Sequence, residues 1–352
     1  MKIKRTPGFL WLTFSVLFLL GAGGCSSASK GECELDWDCP GNQFCIDHAC
    51  IVPGGGDGKD DKADTGDNET GDPVTGESLR SPWGRSEGQL GLSDPEEGSL
   101  EGPMSFAVSG SGEIFVLDQI NERIQVFLDG NLVRSIPVPG STFEDIELAP
   151  NGSIWLLDRS VRESVVLLDS SGNIRSEVAL AGAGVPRVGL VTGTYCREDG
   201  LWVEVFPDLI RIADASGGAD PARPAVSGLF SQDGRLLLTA KLPGGQEAEV
   251  YVRPAGASGG ETIFKVTFQG TPEVLMGPFT DRSGRIYLGA HIADGGVEVV
   301  ALEPDGAVHA RVDLPPATRA EDVFRTLRVT ADGVIYQLAV DDSGAVVRRV
   351  EP

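Results

Sequence analysis

The stretch Pro103–Phe127, PMSFAVSGSGEIFVLDQINERIQVF, decides the reading of this chain. Two short apolar runs, Phe106–Val108 and Ile114–Leu117, flank a turn made of Ser109, Gly110, Ser111 and Gly112. A third run, Ile124–Leu128, follows Asp118–Glu122, and Asp129-Gly130 then opens a second turn. Runs this short, rich in β-branched and aromatic residues and broken by turn residues, predict an antiparallel meander. Gly112 supplies the positive φ of a tight hairpin without a steric clash.

The pattern recurs along the rest of the chain. A turn residue, a glycine and a large apolar run appear at Ser111-Gly112, Asn151-Gly152, Asp199-Gly200, Asp233-Gly234, Ser283-Gly284 and Asp332-Gly333. Successive glycines are 40, 48, 34, 50 and 49 residues apart. Short runs with apolar residues precede the turns, at Phe106–Val108, Ile146–Leu148, Val188–Leu190, Gly228–Phe230, Met276–Phe279 and Leu327–Val329. A period near 45 residues, with three or four short strands per unit and no amphipathic helix between them, predicts a β-propeller. Six copies predict six blades, and stacking them radially buries the two apolar faces of each. The expected class is all-β, a six-bladed propeller over 81–352, with a strand from around 80–90 able to close the ring.

The first copies resemble the NHL repeat. Pro103, Val108, Gly112, Val116, Asp118, Asn121, Arg123 and Ile124 fall on its pattern, with Ser105 where a glycine is usual. Blade two keeps Asp158, and the later blades keep the turn-and-strand skeleton. The resemblance covers about 101–180 and implies that Asp118, Asn121 and Arg123 brace the loop between strands two and three.

The N-terminal quarter has a different character. Lys2, Lys4 and Arg5 precede a 12-residue apolar run, Phe9–Leu20, which is short of the about 20 residues a spanning helix needs. Gly21-Ala22-Gly23-Gly24 and then Cys25 follow. This is the layout of a secretory signal peptide. The cysteine directly after the small residues resembles the lipobox of bacterial lipoproteins, which implies cleavage before Cys25 and its lipidation. Ser26 rather than aspartate follows, which by the enteric sorting rule implies the outer membrane of a Gram-negative cell. Residues 1–24 are thus read as a lipoprotein signal peptide and 25–32 as a lipidated tether.

Residues 33–50 hold Cys33, Cys39, Cys45 and Cys50. Four cysteines in 18 residues of an exported chain predict two disulfides, because so short a segment cannot bury a core. Three connectivities are possible. A zinc site is disfavoured by spacings wider than zinc ligands usually adopt. Resemblance to small extracellular knots implies Cys33–Cys45 with Cys39–Cys50. Residues 51–80, rich in glycine and acid, predict a disordered linker.

Composition limits the function. Lys plus Arg is 29, Asp plus Glu is 52, and the net charge is −23. That argues against nucleic acid as a partner, since phosphate recognition needs clustered cations. No H-E-x-x-H or P-loop pattern occurs, and no catalytic residue is assigned. Propeller ligands gather over the central channel, on loops joining strands two to three and blade to blade. Those loops carry Glu144, Asp145, Arg187, Asp208, His291 and Asp294 as ligand-binding candidates, with Lys241 nearby. Cys196 reads as a buried inert thiol. Six-bladed propellers of gluconolactonase type hold one Ca²⁺ with a Glu, Asn and Asp set; here acids are plentiful but channel asparagines are scarce. NHL-type lyases hold zinc through several histidines, whereas only His291 and His309 fall in this propeller. The reading is a lipid-anchored envelope protein that presents a propeller to a protein, peptide or glycan. A calcium-dependent lactonase or hydrolase is the alternative; otherwise no cofactor is expected.

Overall fold

The computed structural model describes residues 44–46, 49–51, 74–94, 100–257, 259–293, 295–316 and 323–352. Cys25, Cys33, Cys39, Asp294 and most of the expected linker lie outside the described residues. Of the cysteine module, two strands are described, β1 (Phe44–Ile46) and β2 (Ala49–Ile51), paired antiparallel with Cys45 opposite Cys50. Among the described residues no helix is long and apolar enough to cross a membrane.

The rest is a six-bladed β-propeller of six four-stranded antiparallel sheets. Blade one is β4 (Ser105–Val108), β5 (Ile114–Asp118), β6 (Arg123–Leu128) and β7 (Asn131–Pro137). Blade two is β8 (Asp145–Leu148), β9 (Ile154–Asp158), β10 (Ser164–Leu168) and β11 (Ile174–Ala179). Blade three is β12 (Gly193–Arg197), β13 (Gly200–Val205), β14 (Asp208–Ala213) and the short β15 (Ala225–Ser227). Blade four is β16 (Leu229–Phe230), β17 (Leu236–Gly244), β18 (Glu247–Pro254) and β19 (Thr262–Thr267). Blade five is β20 (Pro272–Thr280), β21 (Ile286–Ile292), β22 (Val297–Leu302) and β23 (Val308–Leu314). Blade six joins β24 (Leu327–Val329), β25 (Ile335–Asp341) and β26 (Gly344–Glu351) to β3 (Val74–Pro82) from the start of the domain.

That last pairing closes the ring. β3 runs antiparallel to β26, from Val74 opposite Glu351 to Pro82 opposite Gly344. The closing strand therefore starts at Val74, inside the stretch expected to be linker. An outermost strand buries one face only. Leu79, 2% exposed, is the apolar anchor of that face, while Gly76, Glu77 and Arg80 remain at the surface. A polar sequence is the natural result.

The first strands of neighbouring blades approach each other, β4 against β8, β8 against β12, and β20 against β24. They line the axis. Burial falls outward: β5 and β9 are buried throughout, whereas β7 and β11 are mostly exposed. The core is divided into seams between blades, as two-faced sheets require. Phe115, Leu117 and Ile124 of blade one meet Ile146, Leu156 and Val166 of blade two. Equivalent seams join blades two and three, six and one, four and five, and five and six.

The Asp118 set does brace its loop. The buried Asp118 carboxylate accepts from Asn121 Nδ2 at 2.9 Å and from Arg123 Nε at 2.8 Å. It also accepts from the backbone N–H of Gly91 at 2.8 Å. Arg123 donates onward to the carbonyls of Arg85, Ser86 and Gln89. The motif thus fastens the strand-two-to-three loop to the segment that leads from β3 into blade one. Gly91 is required by close approach, because a Cβ there would sit 2.6 Å from Ile120 Cβ. In blade two, Asp158 accepts from the N–H groups of Ser160, Val161 and Arg162.

Candidate functional site

Buried charge sits among the innermost strands. Asp145 opens β8 and is fully buried. Its Oδ1 accepts from Ser105 Oγ at 2.6 Å, Ile146 N at 3.0 Å and Arg325 Nε at 3.2 Å. Its Oδ2 accepts from Thr194 N at 3.0 Å, Thr194 Oγ1 at 2.7 Å and Arg325 Nη2 at 2.7 Å. Six donors saturate the carboxylate. Arg325 also donates to the Thr194 carbonyl at 3.0 Å and lies over the Tyr195 ring, 4.9 Å from its centre.

A second pair sits beside the first. Arg328, on β24, donates to Glu147 Oε1, to the Ile146 carbonyl and, at 2.8 Å, to the Phe106 carbonyl. Two arginines of blade six therefore bind backbone and side chains of blades one, two and three across the axis. Burial would raise the Asp145 pKa, but the Arg325 and Arg328 guanidinium groups overcome it and hold the carboxyl below its ordinary value. At Glu147 burial prevails, and the pKa is raised despite Arg328 and Arg325. Burial also pushes the Cys196 thiol up to about 12, with the Glu147 charge adding to it. Cys196 is thus a neutral thiol, and it is free.

A cavity of about 590 Å³ opens on the blade-to-blade loops and the strand-two-to-three loops. That volume lies in the range of small-ligand pockets. Met104, Phe143, Val323 and Phe324 give it apolar walls, and Glu101, Gln119, Thr142, Glu144, Ser160 and Thr192 are among its polar groups. Phe143 is fully buried. Arg159 organises one side: its Nε donates to Glu144 Oε2 at 2.7 Å and its Nη1 to the Val191 carbonyl at 2.8 Å. Its guanidinium also lies 4.6 Å from the centre of the Phe324 ring.

The residues expected from sequence are distributed unevenly. Glu144 lines the cavity. Asp145 is not on a loop; it is the saturated acid of the channel. Arg187 is exposed, ahead of a short 3₁₀ turn that leads into blade three. Asp208 accepts from Ser227 Oγ at 2.6 Å in the same blade. His291 lies on β21 opposite Val274, and burial lowers its pKa against the opposing effect of Glu273. Lys241 lies 4.5 Å from the centre of the Tyr251 ring. Arg325, Arg328, Glu147, Arg159 and Phe324 form the site and escaped the sequence reading. The signal present was two arginines, three residues apart, around the innermost strand of the last blade.

A bound Ca²⁺ does not fit these residues. Hard cations need free carboxylate or carbonyl oxygens. Asp145 has spent its lone pairs, and Glu144 is held by Arg159 and by Ser160 Oγ at 2.9 Å. Among the described residues no three His, Cys, Asp or Glu side chains group to hold an ion.

No family model matches the chain, and no curated protein sequence does. Solved structures with a similar course of the chain are distant. A gluconolactonase from Xanthomonas campestris is 14% identical, with 68% of this chain and 82% of that one covered and a TM-score of 0.41. A virginiamycin B lyase from Staphylococcus aureus is 11% identical over 71% and 94%, with a TM-score of 0.39. A member of the DUF4221 family from Bacteroides vulgatus is 11% identical over 80% and 98%, with a TM-score of 0.49.

Proposed function

We propose that the protein is a lipid-anchored binding protein of the cell envelope. In this reading Cys25 carries the lipid, the outer membrane of a Gram-negative cell holds it, and the propeller presents its loop face to a protein, peptide or glycan. One observation carries the binding role. The loop face holds a formed cavity above a channel whose acids are tied to Arg325 and Arg328. A rigid, closed ring with a shaped recess is suited to recognition. The test uses the full chain and its Ser160→Trp variant, which fills the recess from an exposed position. Solubilised envelope protein, peptide and glycan fractions are passed over each. Material retained by the parent and lost from Ser160→Trp, at equal Tm, is the expected result. Equal retention by both overturns the reading.

The calcium-dependent hydrolase makes a different prediction. A cation held only by the folded state at 100 times its Kd adds about 2.7 kcal/mol of stability. We expect no change in Tm between excess Ca²⁺ and EDTA for the full chain. A clear rise with Ca²⁺ would favour the hydrolase.

A further inference from the structure

The hydrogen-bonding capacity of the cavity wall is biased toward acceptors, and this points to the ligand. Thr142 Oγ1 donates its proton to Asp158, Ser160 Oγ to Glu144 and Thr192 Oγ1 to Glu204. A hydroxyl has one proton and two lone pairs, so each of these oxygens can face a ligand only as an acceptor. Gln119 is committed on both ends, donating to the Gly102 carbonyl and accepting from Met104 N–H. Arg159, the cation in the wall, spends two of its five N–H donors on Glu144 and the Val191 carbonyl and lies against the Phe324 ring, so it is the one charged donor left among these groups. Glu101 adds carboxylate oxygens, and Glu144, whose oxygens are already held by Arg159 and Ser160, adds its charge.

Such a wall penalises anions and rewards donors. A phosphate or carboxylate would meet the lone pairs of three hydroxyls and the charge of two acids against the single guanidinium of Arg159. An ammonium or guanidinium group carries three to five donors and no acceptor. The apolar walls from Met104, Val323 and Phe324 suit the methylene stem that such a group brings with it. The field of the propeller acts the same way. Residues 74–352 carry 23 Lys and Arg against 40 Asp and Glu, a net charge of −17. Cations are drawn in and anions repelled.

We propose that the loop-face cavity is a receptor for a basic amine or guanidinium group on an apolar stem. The inference rests on the binding reading above and narrows its ligand. Two sources share this chemistry, a basic side chain of a peptide and a free polyamine, and the probes separate them. Calorimetric titrations of the full chain would use Ac-Phe-Lys-Phe-amide, the same peptide with acetylated lysine, Ac-Phe-Glu-Phe-amide, and spermidine.

Saturable binding of the lysine peptide, at least about tenfold tighter than its acetylated form, is expected, since the charge-assisted bonds go with the proton. Glu101→Gln should weaken it several-fold, and raised salt should do the same. Ser160→Trp should abolish it. Spermidine binding as well as the peptide would assign free polyamines as the source. Absence of saturable binding by both amines overturns the inference, as does equal binding of the acetylated or the glutamate peptide. The broader reading survives that failure if envelope material is still retained by the parent and lost from Ser160→Trp.

Discussion

Asp145 has six donors and no exposure, so its charge is tolerated because Arg325, bonded to it, and Arg328 beside it neutralise it. A buried pair adds little over an apolar pair, but breaking one side leaves an uncompensated charge. Arg325→Met should therefore cost about 3–5 kcal/mol in urea unfolding. Adding Asp145→Asn should recover part of that loss, giving a coupling well outside additivity. Additive losses would show that the ring does not depend on this pair. Asp341 offers a test by pH. Its carboxyl is held down at about 2, against an ordinary 3.8, first by the Ser343 hydroxyl and then by Arg80 of the closing strand. The folded state favours the charged form, so this contribution is complete above the unfolded pKa. It is lost as the pH falls from the unfolded value toward about 2. The side chain is 30% exposed, so solvent screening limits the effect to about 1 kcal/mol. Asp341→Asn should show a flatter decline of stability between neutral pH and pH 3 than the parent; parallel curves would remove Asp341 from the account.

Elements stapled by nearby residues were legible, and elements stapled from afar were not. The hairpin of Gly112, with φ +84°, follows from a turn residue beside a glycine. The Asp118 brace is legible because Asn121 and Arg123 lie within five residues of it. Asp118→Ala would leave Asn121, Arg123 and Gly91 N–H without their acceptor in a mostly buried place. We expect a loss of about 2–4 kcal/mol and new protease cleavage around 84–91. Asp158→Ala, which frees the Thr142 hydroxyl and three N–H groups on a more accessible loop, should cost less, about 1–2 kcal/mol. Similar losses at both positions would contradict the clamp on the 84–91 segment. The closing strand was harder to place because its sequence is polar and its partner, β26, is at the other end of the domain. The channel pair is separated by 180 residues, and nothing local to Arg325 marks Asp145 as its partner. Only the closed ring brings them together, so repeat periodicity reveals the scaffold and not its contents.

Across the whole molecule the seams are unequal. The one between blades three and four is built on three buried residues, Trp202, Leu209 and Leu229, where each other seam has nine or more. A polar contact crosses it, with Arg197 stacked 3.9 Å from the centre of the Phe230 ring. The buried Arg197 Nε has no hydrogen-bond partner, a further cost at this seam. The flanking strands are also short, three residues in β15 and two in β16. Opening should begin here, because local stability follows buried apolar contact. In hydrogen exchange, backbone amides of 225–230 should lose protection first and those of β5 and β9 last. The cavity is framed by blades one, two and six and the entry to blade three, away from this seam. A saturating amine ligand should thus slow exchange at 101–104 and 159–160 and leave 225–230 unchanged. Equal protection of both regions would mean that the ring opens as one unit, and that binding and opening are coupled through the channel arginines.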